Sequence, residues 1–281
     1  MSVNITDEHV CFQGKQLQFT HESLVNACQM TCSIYLPAEA ETAQVPVVWW
    51  LSGLTCTDQN FVTKAGAQQF AAQYGLAVIA PDTSPRGDDV PDDAEGAYDF
   101  GLGAGFYVNA TEDPWSRNYN MYSYLTEELP KLVEENFAID MTKQGIFGHS
   151  MGGHGALTIG LKNPEKFRSI SAFAPIVSPL NCPWGEKALS GYLGNDRKSW
   201  KQYDACALIE NAQDKRQLLV DFGDADGFLE EQLKPQLLEE ACKNAGRPLN
   251  LRMQSGYDHS YYFMATFMGD HMRHHANALK G

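Results

Sequence analysis

The chain contains no run of eighteen apolar residues, the shortest stretch that reads as a membrane-spanning helix. Basic residues are also scarce. Twenty-one Lys and Arg stand against 35 Asp and Glu, for a formal net charge of −14. That surplus argues against nucleic acid and anionic membrane as partners, because both are bound through basic patches. An anionic substrate would need a local basic patch. The first residues, Met1-Ser2-Val3-Asn4-Ile5-Thr6-Asp7-Glu8, have neither a basic nor an apolar stretch. No secretory leader is therefore expected, and the expected location is cytoplasmic. Seven cysteines make an odd count at irregular spacing, and Cys28 and Cys32 lie too far apart for a C-x-x-C pair. Free thiols in a reducing compartment are expected. No internal repeat or low-complexity segment is visible. Gly101-Leu102-Gly103-Ala104-Gly105 neither follows a strand nor opens a helix, which excludes a dinucleotide fingerprint. The acidic run Asp88, Asp89, Asp92, Asp93 and Glu95 lacks EF-hand spacing and reads as a solvated loop. No metal and no cofactor is expected.

What is present suits one large α/β domain over 1–281, with 43% hydrophobic residues. Residues 10–19 and 24–36 alternate and read as antiparallel strands with a turn near 20–23. Pro46-Val47-Val48-Trp49-Trp50-Leu51 is nearly all apolar, as a buried parallel strand should be. A helix is expected over 64–74, then a strand at 76–80. Alternating strands and helices imply a mostly parallel sheet with helices on both faces. Residues 83–120 break that rhythm with many Gly and Pro. Their aromatics Tyr98, Phe100, Phe106, Tyr107, Trp115 and Tyr119 favour an ordered, packed insertion.

The most specific pattern is Gly148-His149-Ser150-Met151-Gly152-Gly153, a G-x-S-x-G elbow. A short apolar strand candidate, 144–147, precedes it and a helix pattern over 154–162 follows. That context separates a nucleophile elbow from a chance match. The serine would sit on a sharp turn with its oxygen exposed, beside a helix N-terminus. Such a nucleophile needs an acid and then a histidine later in the chain. Leu218–Gly223 reads as a buried strand, and three aspartates compete around its end: Asp221 within it, Asp224 and Asp226 beyond it. A last strand, 249–254, leads into a loop carrying His259, where the general base belongs. His149 adjoins the serine and is expected to point elsewhere, as part of the substrate pocket. His154 is a further rival, and His271, His274 and His275 are expected on the surface of a terminal helix. Trp50-Leu51-Ser52-Gly53-Leu54 ends a central strand where the second oxyanion donor is placed in such enzymes. The two candidate donors are the backbone N–H groups of Leu54 and Met151.

Together, Leu51-Ser52-Gly53-Leu54-Thr55-Cys56-Thr57, Gly105–Thr111, Gly148–Ala156, Asn181–Gly185 with Gly191–Gly194, and Gly256–Phe263 resemble the S-formylglutathione hydrolase (esterase D) family. The resemblance spans nearly the whole chain. It implies an α/β-hydrolase fold, with antiparallel strands at the N-terminal edge of the sheet. It also implies a cytoplasmic, dimeric serine thioesterase without a cofactor, which splits S-formylglutathione into glutathione and formate in formaldehyde detoxification. A general short-chain carboxylesterase is the alternative. The family's triad falls on Ser150, Asp226 and His259, and its oxyanion donors on Leu54 and Met151. A formyl group is small, so the acyl pocket should be tight, with Trp184 as its cap and Cys56 nearby as a packing thiol. One departure stands out in Asn118-Tyr119-Asn120-Met121-Tyr122, where a basic residue is expected at 120 and Arg117 is the substitute.

Overall fold

The structure, a computed structural model, describes residues 2–281. Nine strands form one sheet: β1 (Asn4–Cys11), β2 (Gly14–Ser23), β3 (Cys28–Leu36), β4 (Val45–Leu51), β5 (Ala77–Pro81), β6 (Ile139–His149), β7 (Phe167–Phe173), β8 (Leu218–Gly223) and β9 (Leu249–Gln254). Their order is β1-β2-β3-β5-β4-β6-β7-β8-β9. The pairs β1/β2, β2/β3 and β3/β5 are antiparallel, and every pair from β5 to β9 is parallel. This is the α/β-hydrolase arrangement, with an antiparallel edge leading into a parallel centre.

The helices are α1 (Asp58–Lys64), α2 (Ala67–Tyr74), α3 (Met121–Ser123), α4 (Leu129–Asn136), α5 (Met151–Lys162), α6 (Pro183–Leu193), α7 (Arg197–Trp200), α8 (Ala205–Asn211), α9 (Pro235–Ala245) and α10 (Tyr261–Lys280). Among the described residues no helix is long and apolar enough to cross a membrane.

The centre of the sheet is dry. All seven residues of β4 are apolar, and only Pro46 is not fully buried. Trp50 stacks on Phe61 of α1 at 4.1 Å and meets Phe147 of β6 edge-on at 4.8 Å. Removing a fully buried aromatic of this kind typically costs about 3–5 kcal/mol. Helix α5 runs through this core with eleven of its twelve residues buried. A helix apolar on every side must be covered on every side.

Several boundaries differ from the sequence expectation. The N-terminal pair is three strands. The chain reverses at Phe12–Gln13, both left-handed (φ 46° and 63°), without the Asn-Gly signal that usually marks such a turn. The expected turn at 20–23 lies inside β2, and the real one follows at 24–27. The helix expected over 64–74 is two helices. Thr57 caps α1 through a capping box, and Gly66, at φ 65°, redirects the chain into α2. The insertion over 83–120 is ordered. Phe100, Phe106, Tyr107, Trp115 and Tyr119 are buried in it, while Tyr98 is left exposed. Its acidic run turns inward in part: Asp92 accepts from Leu102 N–H (2.9 Å) and Asp93 from Ala97 N–H (2.9 Å).

The histidines of α10 are the clearest correction. His271 and His275 are fully buried, not on the surface, and His274 is half-buried. They share the apolar face of α10 with Met264, Met268, Met272 and Leu279, spaced at three and four residues. That face packs on β7 and β6. His275 bridges Ser169 (2.7 Å) and Ser171 (2.9 Å) of β7, and His271 shares Ser171 (2.8 Å).

Candidate active site

Strand β6 ends at His149 and α5 begins at Met151, so Ser150 is the single residue of the corner between them. Its backbone is strained, at φ 57° and ψ −119°. Such a conformation in a non-glycine residue costs about 1–3 kcal/mol and persists only where the surroundings enforce it. Here they do. The Ser150 N–H is held by Phe173 O (3.0 Å), and its carbonyl accepts from His154 N–H (2.9 Å) and Ile176 N–H (3.3 Å). The corner is packed too tightly for side chains on its flanks. A Cβ at Gly148 would collide with the Gly152 carbonyl, and one at Gly152 with the Leu51 carbonyl.

The serine opens onto a cavity of about 270 Å³ lined by Gly53, Leu54, Thr55, Cys56, Tyr98, His149, Ser150, Trp184, Phe228, His259, Ser260 and Tyr261. His259 and Asp226, 33 residues apart, meet here with Nδ1 2.5 Å from Oδ2. The Asp226 side chain is fully buried, and its other oxygen accepts from Phe228 N–H at 2.9 Å. With Nδ1 bonded to Asp226, Nε2 is the nitrogen left to take a proton from a nucleophile.

The competing aspartates have other partners. Asp221 is bonded to Arg252 through both oxygens (2.6 and 2.5 Å), and Asp224 accepts from Gly256 N–H (2.6 Å) and so shapes the turn. His154, fully buried, donates from Nε2 to Tyr203 O at 2.6 Å.

His149 lies in the cavity wall, with its ring 4.3 Å from that of His259. Burial, and then the neighbouring His259, hold it well below the ordinary histidine range, so it is neutral.

The loop after β4 reaches the same point. Thr55 N–H donates to Gly103 O (2.9 Å), Cys56 N–H to Gly53 O (3.3 Å) and Ser150 N–H to Phe173 O (3.0 Å). The intervening Leu54 amide and the first amide of α5, Met151, are left over from these pairings. The loop is pinned from behind. Thr83 Oγ1 (2.5 Å) and Arg86 Nη2 (3.2 Å) both donate to Cys56 O, and Arg86 Nε is tied to Asp82 at 2.8 Å. Sequence reasoning missed this support, which comes from the insertion.

Trp184 is buried at the cavity edge. Its Nε1 donates to Tyr98 Oη (3.1 Å), and its ring lies 4.7 Å from that of Phe228. Phe228 in turn meets the His259 ring at 5.0 Å. Tyr98, Phe228 and Tyr261 are wall residues that sequence reasoning did not name. Phe228 carried a signal, two residues past Asp226; Tyr98 carried none. Cys56 lines the wall with its thiol 4.0 Å from Tyr261 Oη, and burial raises its pKa. A thiol so held is mostly protonated at neutral pH and a poor nucleophile.

Asn120 and Arg117 are not among the lining residues. The Asn120 amide donates to Val25 O (3.2 Å) and Ser116 O (2.9 Å), so it holds the insertion against the β2–β3 turn. Among the described residues no group of three or more His, Cys, Asp or Glu is placed to hold a metal ion.

A serine at a strained strand–helix corner and a buried Asp–His pair on one cavity are the parts of an acyl-transfer site. The comparisons with known proteins agree with that class. The esterase family, described as "Putative esterase", matches residues 23–275. The S-formylglutathione hydrolases of Rattus norvegicus and Mus musculus are 54% and 53% identical over 281 residues, covering 99% of this chain and of each relative. A solved S-formylglutathione hydrolase from Agrobacterium tumefaciens is 53% identical and superposes with a TM-score of 0.96, covering 98% of this chain and 99% of that one. The chain belongs to the S-formylglutathione hydrolase family of serine esterases.

Proposed function

We propose that this chain hydrolyses S-formylglutathione to glutathione and formate, in the cytoplasm and as a homodimer, in formaldehyde detoxification. Ser150 is the nucleophile. His259 takes its proton through Nε2, and Asp226 holds the imidazole tautomer and stabilises its cation. Ser150 Oγ attacks the formyl carbon, and the Leu54 and Met151 N–H groups receive the oxyanion. The thiolate of glutathione departs and takes up the proton that His259 carries, leaving a formyl-enzyme and a neutral imidazole. Water, deprotonated by His259, then attacks the formyl carbon, and the proton returns to Ser150 Oγ as formate leaves. A thiolate leaves readily, so the site needs little acid assistance. No cofactor takes part.

The observation that carries this reading is the 2.5 Å Asp226–His259 pair opening onto the Ser150 cavity. The wall of Trp184, Phe228 and Tyr98 supports a short acyl limit. A short-chain carboxylesterase is the second reading, favoured by the aromatic wall of Tyr98, Trp184 and Phe228, which would accept a small acyl ester as readily. A side-by-side measurement of kcat/KM for S-formylglutathione and for acetyl, butanoyl and hexanoyl esters tests both. The thioester should exceed every ester. If the acetyl ester equals or exceeds it, the chain is a carboxylesterase.

A further inference from the structure

Lys64 closes α1, and its Nζ stands 5.6 Å from the centre of the Tyr261 ring. Tyr261 and its neighbour Cys56 form one wall of the Ser150 cavity. A second cation, Arg86, touches the same wall at Cys56 O (3.2 Å), but its charge is committed to Asp82 at 2.8 Å. Lys64 has no ion-pair partner among the described residues. It is exposed and lies close enough to act electrostatically on the Cys56 thiol. In a chain of net charge −14, a lysine outside any ion pair and set against the wall residue Tyr261 is a local reversal of sign.

Glutathione carries two carboxylates and one ammonium, several bonds from its sulfur. With the acyl carbon at Ser150, those carboxylates fall outside the apolar cavity, where the lining offers them no cation. We propose that Lys64 recognises a carboxylate of the glutathione leaving group, which makes it a specificity-determining residue for an anionic thiol carrier. The proposal rests on the thioester reading above. A lysine at a helix C-terminus also complements the helix dipole, so the test must separate recognition from helix stability.

The measurement is the ratio of kcat/KM for S-formylglutathione to that for a short, neutral N-acetylcysteamine thioester, in wild type and in Lys64→Gln, Lys64→Glu and Lys64→Arg. An exposed charge pair contributes up to about a fivefold effect. The ratio should therefore fall about two- to fivefold in Lys64→Gln, chiefly through KM. It should fall further in Lys64→Glu and recover in Lys64→Arg. Salt at about 0.5 M should shrink the wild-type ratio toward the Lys64→Gln value. A ratio unchanged by Lys64→Gln, or a parallel fall on both substrates accompanied by a lower Tm, overturns the proposal. A wild type that shows no preference for the glutathione thioester overturns the thioester reading as well, and the two failures are thereby distinct.

Discussion

Two Asp–His pairs draw their aspartates, 221 and 226, from the same stretch of chain, and they have opposite fates. Asp226 and His259 meet at 2.5 Å on the rim of a cavity. Asp221 and His271 approach only to 3.4 Å, with both side chains fully buried against α10. Burial alone would push the Asp221 carboxyl up. The His271 ring beside it and the Arg252 guanidinium, bonded to both of its oxygens, hold it below the usual carboxylate range instead. Its charge is thus met by a guanidinium, and the ring of His271 stacks on Phe173 at 3.7 Å rather than facing a nucleophile. An aspartate beside a histidine is therefore not a catalytic device in itself. In the proposed mechanism it becomes one because no cation competes for Asp226 and His259 lines the same cavity as Ser150.

The contrast can be broken at several points. Ser150→Ala should lower kcat by about 10⁶ with the fold retained, measured on S-formylglutathione alongside circular dichroism. Residual activity above a tenth of wild type would remove Ser150 from its role. Asp226→Asn should lower kcat by about 10⁴, because the amide favours the wrong imidazole tautomer. Asp221→Asn should do the reverse. It removes the buried partner of Arg252, which keeps Asp270 (2.7 Å), and should cost about 1–3 kcal/mol of stability, read by denaturant unfolding, with kcat of the folded enzyme close to wild type. If Asp221→Asn proves catalytically dead but stable, the two pairs have been confused.

Acid should destabilise the fold through its buried histidines. Burial lowers the pKa of His149, His154, His271, His274 and His275 from 6.5, that of His274 to about 4. A histidine with a depressed folded pKa binds its proton more readily when unfolded. Stability is then full above about pH 6.5 and falls as pH drops, by up to about 1.4 kcal/mol per pH unit for each such group. Tm measured from pH 7.5 to 4.5 should decline below pH 6.5, and less steeply in His275→Gln. An equal slope in that variant would take His275 out of the account.

The smallest effect belongs to the cavity edge. Hexanoyl esters should react at least about tenfold more slowly than acetyl esters, and Trp184→Ala should narrow the gap. A flat chain-length profile in wild type would show that Trp184 does not limit the acyl group.

Much of this was legible before any coordinates, for reasons that can be stated residue by residue. The corner at Ser150 is local, with its strand, turn and helix contiguous, so six residues announce it. The parallel core was legible because β4, β5 and β8 are short, almost wholly apolar runs. The histidines of α10 were misread although the signal was present. Their spacing from Met264, Met268 and Met272 places them on the buried stripe, and their polarity was allowed to outweigh it.

What the chain's order of residues determined by itself was the sequence of parts: strand, corner serine, later acid, last-loop histidine, and a charge balance that makes any lone lysine near the cavity conspicuous. Only the tertiary structure decided how those parts pair. Three aspartates near the end of β8 are equivalent as text. They differ because Arg252 lies against one, the Gly256 amide against another, and His259 against the third. The cavity wall is likewise a product of assembly, since Tyr98, Trp184, Phe228 and Tyr261 are contributed by four separate segments. Local pattern records what a residue's neighbours along the chain require. It cannot record which distant group will arrive to satisfy a buried charge or to close a pocket, and on that pairing the chemistry of the site depends.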